Sequence, residues 1–173
     1  MVQQEINMIT SKLIIAIVII GILTYLLYDE RKRHKIEKKN MSFIESINLT
    51  GLPIVSFLNN DQIVNLVLDT GSNTNLIDEQ VLSTLSYKKS ELKNTVIGIA
   101  GESEESNYIL IPLSYKNKTF DTVCIATNMS ATISAFKEEY GVTIHGVLGT
   151  NFFTKYKYVL DFESMIAYSK AKN

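Results

Sequence analysis

The chain divides into parts according to the pattern of its hydrophobic and polar positions. Residues 13–28 (LIIAIVIIGILTYLLY) are almost all apolar and carry no charge, whereas residues 29–40 are mostly charged. From Met41 onward, short apolar runs alternate with polar turns. This pattern predicts a short tail at 1–12, a transmembrane helix at 13–28, a basic juxtamembrane linker at 29–40 and one folded domain at 41–173.

The apolar segment has more than one interpretation. Its 16 residues fall short of the roughly 20 that a bilayer core requires, although Ile9 and Thr10 can extend it while Lys12 reaches the interface. A buried core helix is disfavoured because the segment has no polar stripe. A cleaved signal peptide is the stronger alternative, but the leader lacks a basic surplus and no small-residue cleavage pattern follows Tyr28. We expect a retained anchor.

The distribution of charge predicts the orientation of this anchor. Six Lys and Arg residues lie between Asp29 and Lys39, and only Lys12 precedes the apolar segment. The positive-inside rule therefore places the N-terminus outside and the domain in the cytoplasm, with the reverse topology as the alternative. The basic run can also contact anionic headgroups or serve as a solvated linker. Overall, 17 Lys and Arg balance 18 Asp and Glu, so no nucleic-acid partner is expected.

Beyond Met41 the pattern predicts a mainly β domain. Two apolar runs, 53–58 and 62–68, flank the polar residues 59–61 and predict a hairpin. Further strands are expected at 94–99, 108–115, 119–127, 156–162 and 165–168, and helices at 78–85, 130–140 and 150–156. Many short strands separated by turns are typical of a small barrel or sandwich.

The strand at 62–68 ends abruptly in Asp69-Thr70-Gly71-Ser72. A carboxylate at the end of so apolar a strand is costly to bury unless it has hydrogen-bond partners. Two neighbouring hydroxyls and a glycine that permits close backbone approach can supply them. The same four residues are also good chemistry for an ordinary Asx turn, which remains the alternative.

A second motif lies near the C-terminus. Gly146-Val147-Leu148-Gly149 predicts a short strand between two glycines, followed by a helix with aromatic residues on its inner side and a hairpin that turns at 163–164. With both stretches, VLDTGSNTNLI and HGVLGTNFFTKYKYVLDF, the chain resembles the retropepsin-like aspartic proteases over roughly residues 54–168. The resemblance implies a small closed acid-protease barrel with a short C-terminal helix.

The resemblance also implies a role for each matching residue. Asp69 would be the catalytic carboxylate that activates water, and Thr70 would brace the two active-site turns. Gly71 and Ser72 would donate hydrogen bonds to the carboxylate. The glycine-containing segment between the two motifs would form a flap over the substrate, with an ordinary hairpin as the alternative; its residues are Gly98, Ile99, Ala100 and Gly101. The motif at Gly146, Val147, Leu148 and Gly149 would support the site.

Catalysis by carboxylates requires two of them sharing one proton. Asp121-Thr122-Val123 lacks the glycine of the motif, and Asp161 is not followed by Thr-Gly. We therefore expect each of two copies to supply its Asp69 in a twofold symmetric homodimer. The sequence thus predicts a membrane-anchored aspartic endopeptidase that acts on polypeptides without a metal or organic cofactor. The alternative is a catalytically silent peptide-binding or dimerisation module of the same fold.

Overall fold

The computed structural model describes residues 14–28, 40–97 and 103–171. The chain divides into two compact units, Met1–Lys38 and Lys39–Asn173. The predicted flap, Gly98 to Gly101, lies outside the described residues, as does most of the basic linker.

In the first unit, residues 14–28 form a helix, α1, whose side chains are exposed. The hydroxyl of Thr24 donates to the carbonyls of Ile20 and Gly21, both at 2.9 Å, so this polar group is satisfied within the helix. Among the residues with described coordinates, no helix is both long and apolar enough to cross a membrane. The transmembrane helix predicted at 13–28 is therefore not found among those residues, and Leu13 lies outside them.

The second unit contains three α-helices, one 3-10 helix and nine strands within its described ranges. The helices are α2 (Phe43–Thr50), the 3-10 helix (Glu79–Thr84), α3 (Ser130–Tyr140) and α4 (Thr150–Tyr156). The strands are β1 (Ile54–Asn59), β2 (Gln62–Leu68), β3 (Leu76–Asp78), β4 (Lys88–Ile97), β5 (Ser103–Tyr115), β6 (Lys118–Thr127), β7 (Gly146–Leu148), β8 (Tyr158–Asp161) and β9 (Ile166–Ser169).

Six of these strands close into a barrel in the order β1-β2-β7-β3-β6-β5, and β4 extends the sheet beyond β5. The barrel closes between β1 and β5 through one residue pair, Leu58 with Ser114. β7 runs parallel to β2 and antiparallel to β3, which in turn runs parallel to β6. The predicted mainly β barrel with a short C-terminal helix is thus confirmed.

The first hairpin forms where the pattern predicts it. β1 and β2 pair from Ile54 with Val67 to Asn59 with Gln62. The turn between them places Asn60 at φ 53°, a left-handed conformation that asparagine tolerates well. Five of the six side chains of β1 and four of the seven of β2 are buried, including residues on both faces of each strand.

An aromatic cluster fills one end of the barrel against α4. The rings of Phe120 and Tyr156 meet edge to face with centroids 4.9 Å apart, and Phe152 lies 5.1 Å from Tyr158. Phe57 completes the cluster from β1. Phe152 therefore holds α4 on the barrel, with Phe153 and Tyr156 packed beside it, as the sequence predicts.

Several boundaries differ from the sequence predictions. The strand expected at 94–99 begins at Lys88, and the helix expected at 78–85 is a 3-10 helix that follows the short strand β3. The strand expected from residue 156 begins at Tyr158, because Lys157 ends α4 in a left-handed conformation with φ 47°.

Helix α2 was not predicted. It begins at a capping box in which the Ser42 hydroxyl and the Glu45 carboxylate each accept from the other residue's backbone N–H, and it ends at Gly51 with φ 72°. Phe43 is buried and its ring contacts that of Phe162. This helix therefore packs the start of the domain against its terminal hairpin.

A polar network joins β2 to the segment that enters β7. The N–H of Asn65 donates to Nδ1 of His145 at 2.9 Å, and its side-chain amide donates to the carbonyl of Thr143. The hydroxyl of Ser56 donates to the Asn65 side-chain oxygen at 2.6 Å. Burial lowers the pKa of His145, and the Asp78 carboxylate opposes that shift in part. His145 is therefore neutral and accepts through Nδ1.

Acidification is expected to destabilise the domain through His145. An unfolded histidine has a pKa of about 6.5, whereas the folded value is lower. Between the two values the unfolded state binds more protons, so the free energy of unfolding falls as the pH drops, by at most about 1.4 kcal/mol per pH unit. Urea unfolding between pH 7.5 and 5 measures this slope. His145→Asn keeps an acceptor but removes the titrating group, so we expect it to flatten the slope. His34→Asn is the control and is expected to leave the slope unchanged. Equal slopes for the wild type and both variants would contradict the role of His145.

The hydroxyl of Tyr158 is buried and has no hydrogen-bond partner in the described part of the chain. Burial raises its pKa, with a smaller contribution from Tyr115. Tyr158→Phe removes this uncompensated group, so we expect the free energy of unfolding to rise by about 1 kcal/mol. Tyr156→Phe is the matched control, because the Tyr156 hydroxyl donates to the Asp121 carbonyl at 2.6 Å. Its removal lowers the free energy of unfolding; the same sign for both variants in urea titrations would refute this account.

Candidate active site

The structure brings the two motifs of the sequence together. β2 and β7 are parallel neighbours, with Leu68 opposite Leu148. At the end of this pair, the N–H of Asp69 donates to the Leu148 carbonyl at 2.9 Å. The Asp-Thr-Gly turn and the Gly-Val-Leu-Gly segment, 75 positions or more apart in the chain, therefore form one structural unit.

The turn presents the Asp69 carboxylate at the surface of the single chain. The N–H of Gly71 donates to Oδ1 of Asp69 at 2.8 Å, the contact that the resemblance implies. A Cβ at Gly71 would lie 3.2 Å from that oxygen, so a glycine at this position avoids a close contact with the carboxylate. Asp69 and Thr70 are both exposed. A carboxylate with one backbone donor and open solvent access can receive a second carboxylate or a substrate.

Ser72 is placed differently from the expectation. Its hydroxyl donates to the Thr74 carbonyl at 2.8 Å and accepts from the Thr74 N–H, so it braces the loop rather than the Asp69 carboxylate. The physical reason is local: a serine in a turn readily bonds to backbone groups two residues on. The bracing role of Thr70 requires a second active-site turn and stays a prediction.

Two glycines allow the close approach of β7 and its following residue to β3 and to the loop after Asp69. A Cβ at Gly149 would lie 2.6 Å from the Thr74 carbonyl oxygen and 2.7 Å from that of Ser72. A Cβ at Gly146 would overlap the Leu76 carbonyl oxygen. Backbone crowds both positions, so a side chain at Gly149 would displace the loop that follows Asp69, and one at Gly146 would displace β3.

Asn75 is a site residue that sequence reasoning missed. Its side-chain oxygen accepts from the Gly149 N–H at 2.9 Å, and its amide donates to the Val123 carbonyl at 2.9 Å. The side chain is buried. In the sequence, Asn75 is one of several turn-forming polar residues after the glycine, and no local signal separates it from Asn73.

The other candidate carboxylates have different surroundings. Asp161 accepts from the backbone N–H groups of Ser164 and Glu163, which lowers its pKa and shapes the β8–β9 turn. Asp121 is exposed on β6. Burial raises the pKa of the Cys124 thiol to about 12, so this thiol is not a nucleophile. Within the described ranges, no three His, Cys, Asp or Glu residues are grouped to hold a metal ion.

Comparisons with known proteins agree with this geometry. A family model described as aspartyl protease matches residues 55–152, which is more than half of the chain and includes both motifs. No curated protein matches the chain.

Among solved structures, the chain is similar to the EIAV protease complexed with the inhibitor HBY-793, at 19% identity, with 62% of this chain and 90% of that chain covered and a TM-score of 0.45. It is also similar to the retroviral protease-like domain of Ddi1 from Leishmania major, at 9% identity, with 70% and 90% covered and a TM-score of 0.48. The single six-stranded barrel is the architecture that the resemblance to retropepsin-like proteases implies. Because the family model matches more than half of its length, the chain belongs to the aspartyl protease family.

Proposed function

We propose that the chain is an aspartic endopeptidase whose active site forms between two copies, each of which contributes Asp69. The observation that supports this most directly is the exposed Asp69 carboxylate on a turn whose backbone is held by β7. A catalytic group on a rigid element keeps its position when a substrate binds. A peptide-binding module has no need of such a carboxylate.

The proposed chemistry needs the pair. Two carboxylates about 3 Å apart cannot both ionise and hold one proton between them. The ionised member takes a proton from a water molecule, whose oxygen bonds to the carbonyl carbon of the scissile amide. The protonated member gives its proton to the carbonyl oxygen. The tetrahedral intermediate then collapses: the C–N bond breaks, the leaving nitrogen takes the proton that came from water, and the other carboxylate takes a proton from a hydroxyl of the intermediate, so the pair again holds one proton.

The surface of the domain is compatible with a twofold contact. Thr70, next to Asp69, is exposed. The terminal hairpin β8–β9 forms a separate two-stranded sheet. Phe162 in its turn is 58% exposed and Ile166 in β9 is 43% exposed. Strand edges beside exposed apolar side chains favour association with another copy. These features support the homodimer.

We further propose that residues 13–28 anchor the enzyme in a membrane, with the N-terminus outside and the protease domain in the cytoplasm. The apolar, uncharged sequence and the exposed side chains of α1 support this. Ile9 and Thr10 would extend the anchor, with Lys12 at the interface, because an apolar segment of 16 residues falls short of the roughly 20 that a bilayer core requires. Confinement of two copies to one membrane raises their effective concentration.

Asp69→Asn is expected to abolish peptide cleavage by the full chain. The substitution removes the ionisable pair, and loss of general acid–base catalysis costs roughly a hundredfold to ten-thousandfold in rate. A peptide library assayed from pH 4 to 7.5 measures it. Asp121→Asn is the matched control and retains activity. A folded wild-type dimer that cleaves nothing would instead favour the silent binding module.

A mixing experiment tests whether the second carboxylate comes from the partner. An excess of Asp69→Asn protein added to the wild type converts wild-type dimers into mixed dimers with one intact Asp69. Total activity therefore falls below that of the wild type alone. Activity that stays constant as the variant is added would show that each chain cleaves by itself.

Removal of residues 1–38 is expected to weaken dimerisation on membranes. The remaining unit, Lys39–Asn173, keeps its own core. In liposomes the full chain should form dimers at lower protein concentration than the truncated chain, by the effective-concentration argument. Cross-linking across a dilution series measures the difference. Equal midpoints in liposomes and in solution would exclude the tethering role, and a protease-accessibility assay of the domain tests its side of the membrane.

A further inference from the structure

The active-site turn is attached to the β7–α4 junction at three places. The N–H of Asp69 donates to the Leu148 carbonyl at 2.9 Å, and the N–H of Thr150 donates to the Ser72 carbonyl at 2.8 Å. Both of these bonds join backbone to backbone. The third is the bond from the Gly149 N–H to the side-chain oxygen of Asn75. Asn75 is thus the residue that makes one of the three attachments through its side chain rather than through its backbone.

Asn75 also connects the turn to a third segment. Its amide donates to the Val123 carbonyl at 2.9 Å, and its own carbonyl accepts from the N–H of Ile125 at the same distance. The side chain is only 6% exposed. One buried amide therefore ties the far end of the catalytic turn to β6 and to the junction that follows β7.

We propose that Asn75 is a positioning residue for the Asp69 carboxylate. Asp69 and Asn75 stand at the two ends of one loop, and the Ser72 attachment lies between them. If the Asn75 end is released, the loop can shift relative to Leu148, and the bond from the Asp69 N–H to the Leu148 carbonyl opens more often. Because the two carboxylates must approach within about 3 Å to share a proton, a displacement near 1 Å lowers the rate strongly. The inference rests on the proposed dimeric protease.

The chemistry of the amide allows a specific test. Asparagine offers an acceptor to Gly149 and a donor to Val123 at the same time. An aspartic acid of the same shape does both only when protonated, since an ionised carboxylate has no donor and would face the Val123 carbonyl. Asn75 lines a surface cavity, and Lys155 and Asn151 line the same cavity at exposed positions. A carboxyl group at position 75 can therefore exchange protons with solvent.

Asn75→Asp in the full chain is therefore expected to make activity depend on pH in a new way. At neutral pH, kcat falls roughly tenfold to a hundredfold with little change in KM. As the pH drops and the new carboxyl is protonated, the ratio of variant to wild-type kcat rises. Asn151→Asp adds a carboxyl at an exposed position of the same cavity and leaves that ratio flat. A flat ratio for Asn75→Asp, or a change in KM alone, overturns the proposal.

A second measurement does not depend on catalysis. In Asn75→Leu, amide hydrogen exchange should accelerate at Asp69 as well as at Gly149, because loss of the Gly149 attachment loosens the loop whose other end is held by the Asp69 bond. Acceleration at Gly149 alone would limit Asn75 to a local structural role and overturn the positioning role. If the wild type and Asn151→Asp both fail to cleave peptides, the proposed function fails, while the exchange data still decide the role of Asn75.

Discussion

The structure depends on the parallel pairing of β2 with β7. This pairing is short, three residue pairs from Leu66 with Gly146 to Leu68 with Leu148, yet it brings together segments that lie far apart in the chain. It continues into the bond from the Asp69 N–H to the Leu148 carbonyl. The position of the catalytic candidate is thus fixed by sheet register, which cannot slip by one residue without exchanging the buried and exposed faces.

Three buried asparagines carry out the same physical task at different places. Asn59 accepts from the Ser86 N–H and donates to the carbonyls of Ser86 and Pro112. Asn65 and Asn75 likewise use the oxygen and the nitrogen of the side chain together. Each amide satisfies backbone groups that the short, irregular strands of this barrel leave without a ladder partner. Buried amides of this kind are costly to remove because their partners are then left unpaired.

The sequence predicts most of the strands because their signals are local. The β1–β2 hairpin, α3 and α4 follow from apolar periodicity and turn residues within the segments themselves. The capping box from Ser42 to Glu45 is a local signal for the start of α2. The helix has only eight residues, however, and its apolar pattern is too short to predict a helix by itself.

The site was predicted less completely, for a different reason. The Asp69 turn and the Gly146–Gly149 motif were found, but the orientation of Ser72 depends on competition between two acceptors within one loop. The role of Asn75 depends on a residue 74 positions away, Gly149. No pattern within a window of ordinary length contains that information.

The closure of the barrel has a further consequence for how the molecule moves. β1 and β5 meet through one residue pair, Leu58 with Ser114, whereas every other junction of the barrel has at least two. In the ring of six strands this junction lies opposite that of β7 with β3. Two opposite sides of the ring are thus joined by short ladders, so local opening at either side is resisted by the buried side chains of the barrel interior more than by ladder hydrogen bonds.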